Sequence, residues 1–483
     1  MAMFLGLSLL VGVLVGAGAA LLIFSIGWVE RGFEAFGDAL SLGRYLVLGS
    51  VPLAFLAAWW IAGRFAPEVG GDGVPETAAA LTVRAGYLPS RTAPLKILAT
   101  AITLGGGGSA GREGPIVQIG GAIGSSLARY SRLGEDQIRS LVAAGAGAAI
   151  GASFNAPIAG MLFAMEVILG HFAVRHLNAV VVASVAAAVT SRSLVGEERI
   201  LQAFPYRVVD ARELLLYALL GVLVVGVAYV FLRVLNRTDT TQDSQRWPSW
   251  VRPVALGLAV AALGVAEPRI LRTGQEFVGE LLQISAGGIE VWWVLFLLAG
   301  VKILATAGTI GSGASGGAFM PSLFIGATLG AGFAQLLDPV WNFSELQPGA
   351  FAVVGMAATF AAVARAPLTA IIIVFEITGD YALVLALMLA AALATFGIDR
   401  IHPDSVYTMP LARRGIRLTR TSEVDLLDTV TVGEVMSGNP TLITPTMTTG
   451  EVQGTLDRHR HHGLSVVDDR GRLIGIVTVT DIL

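Results

Sequence analysis

From Met1 to about Ile401 the chain is a succession of apolar stretches, and no other feature narrows its possible folds as much. Met1–Trp28 and Tyr45–Ile61 are each long enough to cross a hydrocarbon core of about 30 Å as a helix. Charged residues make up only 14% of the chain, against about 25% in a soluble domain, so it has too little polar surface to face water all round. The first charged residue is Glu30. Met1-Ala2-Met3-Phe4 lacks the basic opening of a cleavable signal, so this segment is expected to be a retained helix. About fifteen stretches have helical length. Pro115–Leu127 and Pro367–Ile377 are too short to cross alone, and short segments broken by Gly and Pro predict discontinuous helices around a site at membrane depth. The expected fold is an all-α polytopic membrane protein.

The strongest internal signal is a repeat. Lys96-Ile97-Leu98-Ala99-Thr100-Ala101 recurs as Lys302-Ile303-Leu304-Ala305-Thr306-Ala307, an offset of 302 − 96 = 206. The same offset relates Gly105 to Gly311, Gly107 to Gly313, Ser109 to Ser315, Gly111 to Gly317, Pro115 to Pro321, Ile119 to Ile325 and Gly120 to Gly326. Ala156-Pro157 and Glu166 match Ala366-Pro367 and Glu376 at an offset of 376 − 166 = 210. Two related halves follow, about 1–200 and 205–408. Their relative orientation, parallel or inverted, is not in the sequence.

Each half carries a glycine-rich loop that ends in proline before an apolar run, Gly105–Pro115 and Gly311–Pro321. Proline suits the first turn of a helix, and glycine lets backbone N–H groups approach a ligand. Helix N-termini carry free N–H groups and a partial positive charge, so two such loops facing each other would replace the water shell of a halide. Backbone dipoles also bind weakly enough to let an ion leave, as conduction requires. The plainer reading is a pair of tight helix connections.

Glu113 stands out, because a carboxylate in a membrane-depth loop is expensive and usually functional. Ionised, it can occupy an anion site itself; protonated, it should release that site. The plainer alternative is a salt bridge to Arg112. Lys96 and Lys302 are the only lysines, against 32 − 2 = 30 arginines. They either raise the local potential for anions or snorkel to an interface.

Net charge is −3 and there is no cysteine. Nucleic-acid binding through charge, disulfides and thiol catalysis are thereby set aside. No nucleophile–base pairing, metal-ligand spacing or phosphate loop supports an enzyme or a resident cofactor. Arg413, Arg414, Arg417 and Arg420 follow the last apolar run, Tyr381–Phe396, and arginine there favours the cytoplasmic side. The polar tail from Val430 reads as a small soluble domain of strands and helices after a linker at 409–429. His459, His461 and His462 cluster in it beside Arg458 and Arg460, a solvated helix face in preference to a metal site.

These runs resemble the CLC family of chloride channels and chloride/proton antiporters over nearly the whole chain. GREGP (Gly111–Pro115) and GAFMP (Gly317–Pro321) match two of its filter motifs, and GDGVPE (Gly71–Glu76) stands where the family usually has GSGIPE. Phe154–Glu166 and Arg365–Thr378 are also family-like, and Tyr407 falls where a pore-lining tyrosine is expected. The resemblance implies inverted repeats over residues 1–408 with broken helices, a multi-pass place in the cell membrane, and a homodimer with one pore per subunit. It implies chloride or a similar anion as substrate, with contacts from Asp72, Gly73, Val74, Arg112, Gly114, Ala318, Phe319, Met320 and Tyr407, and Glu113 as the gate. The tail, 430–483, resembles a CBS domain, an α/β fold that normally pairs and often binds adenine nucleotides; one copy lies within the chain, and it is expected in the cytoplasm.

Two residues depart from the family pattern. Asp72 replaces a serine whose hydroxyl usually faces the central anion; it either faces the pore, protonated, or caps the following helix, and capping is favoured. Val167 stands where the family's antiporters carry an inner glutamate. Valine cannot relay a proton, which favours passive conduction over chloride/proton exchange. A nucleotide sensor with a membrane anchor is the remaining alternative, and the repeated loops argue against it.

Overall fold

The computed structural model describes residues 2–196, 201, 206, 210–240, 248–283, 290–379, 381–416, 440–459 and 463–482. Arg417, Arg420, most of the expected linker, Val430, Arg460, His461 and His462 lie outside them. The chain divides into two compact units, Met1–Arg420 and Thr421–Leu483.

Among the described residues of the larger unit, eight helices make the first half: α1 (Ala2–Ala39), α2 (Val47–Phe65), α3 (Val74–Val83), α4 (Thr92–Gly105), α5 (Glu113–Tyr130), α6 (Glu135–Phe154), α7 (Pro157–Phe163) and α8 (Val174–Val195). Eight more repeat the order: α9 (Glu213–Thr240), α10 (Val251–Ala266), α11 (Gln275–Leu281), α12 (Trp292–Gly311), α13 (Phe319–Leu337), α14 (Pro348–Ala364), α15 (Pro367–Thr378) and α16 (Val384–Ile401). The short α17 (Met409–Arg413) follows. Among the described residues seven helices are long and apolar enough to cross a bilayer, while α4, α7, α10, α14 and α15 are apolar but shorter. Pro367–Ile377 is one of these short helices. Pro115–Leu127 instead belongs to the 18-residue α5, which starts two residues earlier at Glu113 because Pro115 takes the third position of its first turn.

The core explains the glycines. Every residue of α14 is buried, as expected of a helix that is apolar all round. A Cβ on Gly326 in α13 would collide with the Gly355 carbonyl of α14, and one on Gly355 with the Gly326 carbonyl. Gly120 of α5 and Gly145 of α6 stand in the same relation in the first half. Small residues here let two backbones touch, which is how helices gain packing energy where lipid supplies no hydrophobic drive.

The halves meet with reciprocal contacts. Gly111 and Gly317, equivalent in the repeat, form an antiparallel bridge in which each N–H donates to the other's carbonyl at 2.7 Å. The Glu166 carboxylate accepts the N–H groups of Leu368 and Thr369 at the start of α15 (3.2 and 2.7 Å). Glu376 accepts those of Ile158 and Ala159 at the start of α7 (3.1 and 2.6 Å). Such mutual pairing of equivalent residues is the signature of a two-fold relation, and the architecture is an inverted repeat.

The smaller unit has a three-stranded sheet in the order β1 (Leu442–Ile443), β2 (Gly463–Val467), β3 (Leu473–Thr478), parallel for the first pair and antiparallel for the second. Helix α18 (Thr449–His459) connects β1 to β2 and packs Val452 and Leu456 on Ile443 and Leu464; α19 (Val479–Ile482) ends the unit. A capping box starts α18. The Glu451 carboxylate accepts the Thr448 N–H at 2.8 Å while Thr448 Oγ1 accepts the Glu451 N–H at 3.4 Å. The Thr448 N–H and hydroxyl, both donating to Glu451 Oε2 at 2.8 Å, hold its carboxyl below the ordinary range.

Candidate functional site

Three helix N-termini converge where the halves meet, those of α3, α5 and α13. The cause is local. The α5 and α13 ladders begin at Ile116 N–H to the Arg112 carbonyl (3.0 Å) and at Ser322 N–H to the Ala318 carbonyl (3.1 Å). Glu113, Gly114, Phe319 and Met320 precede those first bonds, so no helical carbonyl satisfies their amides, while Pro115 and Pro321 bring no N–H of their own. Gly73, at φ +101°, turns the chain into α3 and leaves the Val74 amide in the same position.

Two carboxylates reach these amides. Asp72 Oδ1 accepts the Val74 N–H at 3.2 Å, so it does cap the helix that follows. Its other oxygen, Oδ2, accepts the Ala318 N–H of the opposite half at 2.8 Å. Asp72 is therefore not turned away from the site. A Cβ on Gly114 would collide with Oδ1, and one on Gly317 would stand 3.3 Å from Oδ2. Glu113 is buried, with its carboxylate over Gly111 and beside the Met320 amide; its Oε2 has no hydrogen-bond partner among the described residues. Arg112 and Glu113 form no ion pair among the described residues, and Arg112 Nε is likewise unpartnered. The salt-bridge alternative for Glu113 is thereby set aside.

Phe319, the repeat counterpart of Glu113, is buried between Phe360 and Phe154, with ring centroids 4.1 and 5.0 Å away. Tyr407 is buried, lies edge-on to Phe163 at 6.3 Å, and is within electrostatic reach of Asp72 and Glu113. Val167 is buried in a π-helical turn, Ala164–Leu169, next to the capping Glu166. A cavity of about 280 Å³ reaches the site from one side; Asp72, Gly71, Trp59, Glu76, Met409 and Arg414 are among its walls. Glu76 pairs with Arg414 at 3.1 Å.

The lysines do something the sequence reading missed. Both are fully buried, and neither snorkels. Lys96 Nζ donates to the Val69 and Gly71 carbonyls, each at 2.9 Å. Lys302 Nζ donates to the Ile270 and Arg272 carbonyls at 2.9 and 3.0 Å and lies over the Phe324 ring at 5.1 Å. The carbonyls are themselves equivalent, at an offset of 270 − 69 = 201. Gly71 and Arg272 then accept the N–H groups of Gly316 and Ala110 (3.1 and 3.2 Å), so each lysine holds a loop of its own half that bonds the glycine-rich loop of the other. Threonines add to this: Thr309 Oγ1 accepts the Ser109 N–H at 3.0 Å, and Thr103 Oγ1 the Ser315 N–H at 3.2 Å. The signal for this network was the conserved spacing of the two hexamers within the chain, which fixed the lysines but not the carbonyls they reach. Lys302→Met is expected to cost about 2 kcal/mol, the scale of a lost hydrogen bond to a charged group, measured as a lower midpoint of unfolding in detergent.

These features define a helical membrane protein in which backbone amides of three helix N-termini converge between two inverted halves. The chain belongs to the CLC family: residues 53–397 match the family described as voltage gated chloride channel, and residues 432–483 match the CBS domain. It is 31% identical over 386 residues to the H(+)/Cl(-) exchange transporter ClcA of Vibrio campbellii (strain ATCC BAA-1116), covering 78% of this chain and 81% of that one. It is 31% identical over 408 residues to the protein of the same name from Yersinia pestis bv. Antiqua (strain Angola), covering 80% and 85%. Among solved structures it is similar to a slow cyanobacterial Cl-/H+ antiporter, with TM-score 0.77, 26% identity and coverage of 85% of this chain and 97% of that one. A eukaryotic CLC transporter shares the fold, with TM-score 0.73 at 24% identity, covering 100% of this chain and 89% of that one. Anion transport by a multi-span membrane protein is the activity this membership carries.

Proposed function

We propose that the chain exchanges chloride for protons, with Glu113 alternating between the anion cradle and proton transfer. The observation that carries this reading is the Glu113 carboxylate lying beside the Met320 amide. Ionised, it covers the amide that an anion would take. Neutral, it loses most of its attraction to the partial positive charge of α13 and yields the place. A group that moves a proton and an anion in turn through one position couples their flows. The names of the relatives in Vibrio and Yersinia support the same reading.

Val167 supports a second reading, passive conduction, because valine cannot carry a proton. Purified protein in liposomes separates the two. An outward chloride gradient should drive protons inward against their own gradient, and the zero-current voltage should depend on both ions. A zero-current voltage fixed by chloride alone would leave conduction.

The same proposal includes that Gly73, Val74, Arg112, Gly114, Ala318, Phe319, Met320 and Tyr407 line the anion path and that the active form is a homodimer. Arg413 and Arg414, after the last membrane helix, support a cytoplasmic CBS domain, where an adenine nucleotide is the ligand to test.

A further inference from the structure

We infer that Asp72 is the inner proton-transfer group, taking protons from the cavity and handing them to Glu113. This inference rests on the exchange reading above. The exchange reading leaves a gap on one side of the site: Val167, where a carboxylate would be expected, is apolar. Asp72 fills that gap by position. It is a wall of the 280 Å³ cavity, so water can reach it. Its other contacts are with the filter itself, the Val74 and Ala318 amides and the backbone at Gly114 and Gly317.

Glu113 and Asp72 both lie against the Gly111–Gly317 pair, Glu113 at Gly111 and Asp72 at Gly317. One carboxylate faces the cavity and the next is enclosed behind it, an order suited to a two-step relay. The transfer needs no redox partner. A hydronium in the cavity loses a proton as an O–H bond forms on Asp72, and that proton then passes to a Glu113 oxygen, directly or through one water, leaving Asp72 ionised again.

The charges around Asp72 suit repeated loading and unloading. Lys96 and Glu76 act on it from α4 and α3, Glu113 and Arg112 stand at the start of α5, and the Tyr407 hydroxyl and Arg414 lie towards α17. Lys96 is committed to two carbonyls, and Arg414 to Glu76, so neither cation locks Asp72 in an ion pair. Ionised Asp72 also occupies the Ala318 amide, so loading a proton frees an anion contact. Anion binding and proton uptake at this residue are therefore linked.

The test compares wild type, Asp72→Asn, Asp72→Glu and Glu113→Gln in liposomes, recording proton and chloride movement together. Asp72→Asn is expected to move at least tenfold fewer protons per chloride than wild type, and Asp72→Glu to restore proton movement. Wild-type stoichiometry in Asp72→Asn would overturn the role of Asp72 while leaving exchange intact. A wild type that moves no protons would overturn the exchange reading itself, and this inference with it. Should the Asp72 variants not fold, Glu113→Gln decides. With the gate neutral, chloride affinity should still rise as pH falls on the cavity side, by up to tenfold per pH unit for one linked proton. A chloride affinity in Glu113→Gln that does not change with pH on the cavity side would overturn the assignment.

Discussion

Glu113→Gln should abolish proton movement and leave an anion flux that no longer responds to external pH. Glutamine keeps the size of the side chain but never carries the negative charge that holds the carboxylate against the N-terminus of α13. The amides of Gly114 and Met320 then stay open to anions at every pH. Proton transfer fails outright, since an amide does not titrate in this range. Proton flux should fall below detection, more than a hundredfold, while chloride efflux from liposomes continues and no longer changes with external pH. A variant that kept the wild-type pH response would remove Glu113 from the gate. The asymmetry of the repeat sharpens the expectation: Phe319 holds the equivalent position, packed between Phe154 and Phe360, so the second half has no substitute to offer.

The second large effect is on folding. Gly326→Val should prevent assembly of the membrane unit. A valine Cβ at this position would enter the space of the Gly355 carbonyl, and that atom belongs to helix backbone with no rotamer to give way. Helices α13 and α14 would have to separate, and α13 carries Ala318, Phe319 and Met320 at its start. Over-packing a core costs about 1–3 kcal/mol where side chains can yield; here the cost should exceed that range. The measurement is the yield of monodisperse protein in mild detergent, with Gly279→Val as control, since that glycine has open space around it. Equal yields would show that the α13–α14 contact is looser than the structure describes.

Both effects trace to features with different legibility. The Pro115 and Pro321 helix starts were readable directly, because each depends on a few consecutive residues. The internal repeat was readable because duplication leaves the same residues at one offset. The cross-half caps were not. Glu166 and Glu376 were visible as equivalent glutamates, but only the fold brings each to the first turn of the other half's helix. Lys96 and Lys302 were visible as unusual, yet whether a buried ammonium faces an ion or a carbonyl depends on loops 25 to 32 residues away in sequence.

Asp72 marks the boundary most clearly. Sequence offered a cap or a pore-facing carboxylate as alternatives. The structure makes it both: the carboxylate has two oxygens, one capping its own helix at Val74 and the other taking the Ala318 amide 318 − 72 = 246 residues away. By itself the sequence determined a membrane-embedded, two-fold repeated helical protein with glycine-rich loops and a glutamate inside one of them, since apolar length, glycine spacing and internal duplication are properties of the chain alone. Tertiary structure alone decided which amides the two carboxylates cover, which carbonyls the lysines hold and where water reaches the site. Those depend on atoms that become neighbours only once the halves close on each other.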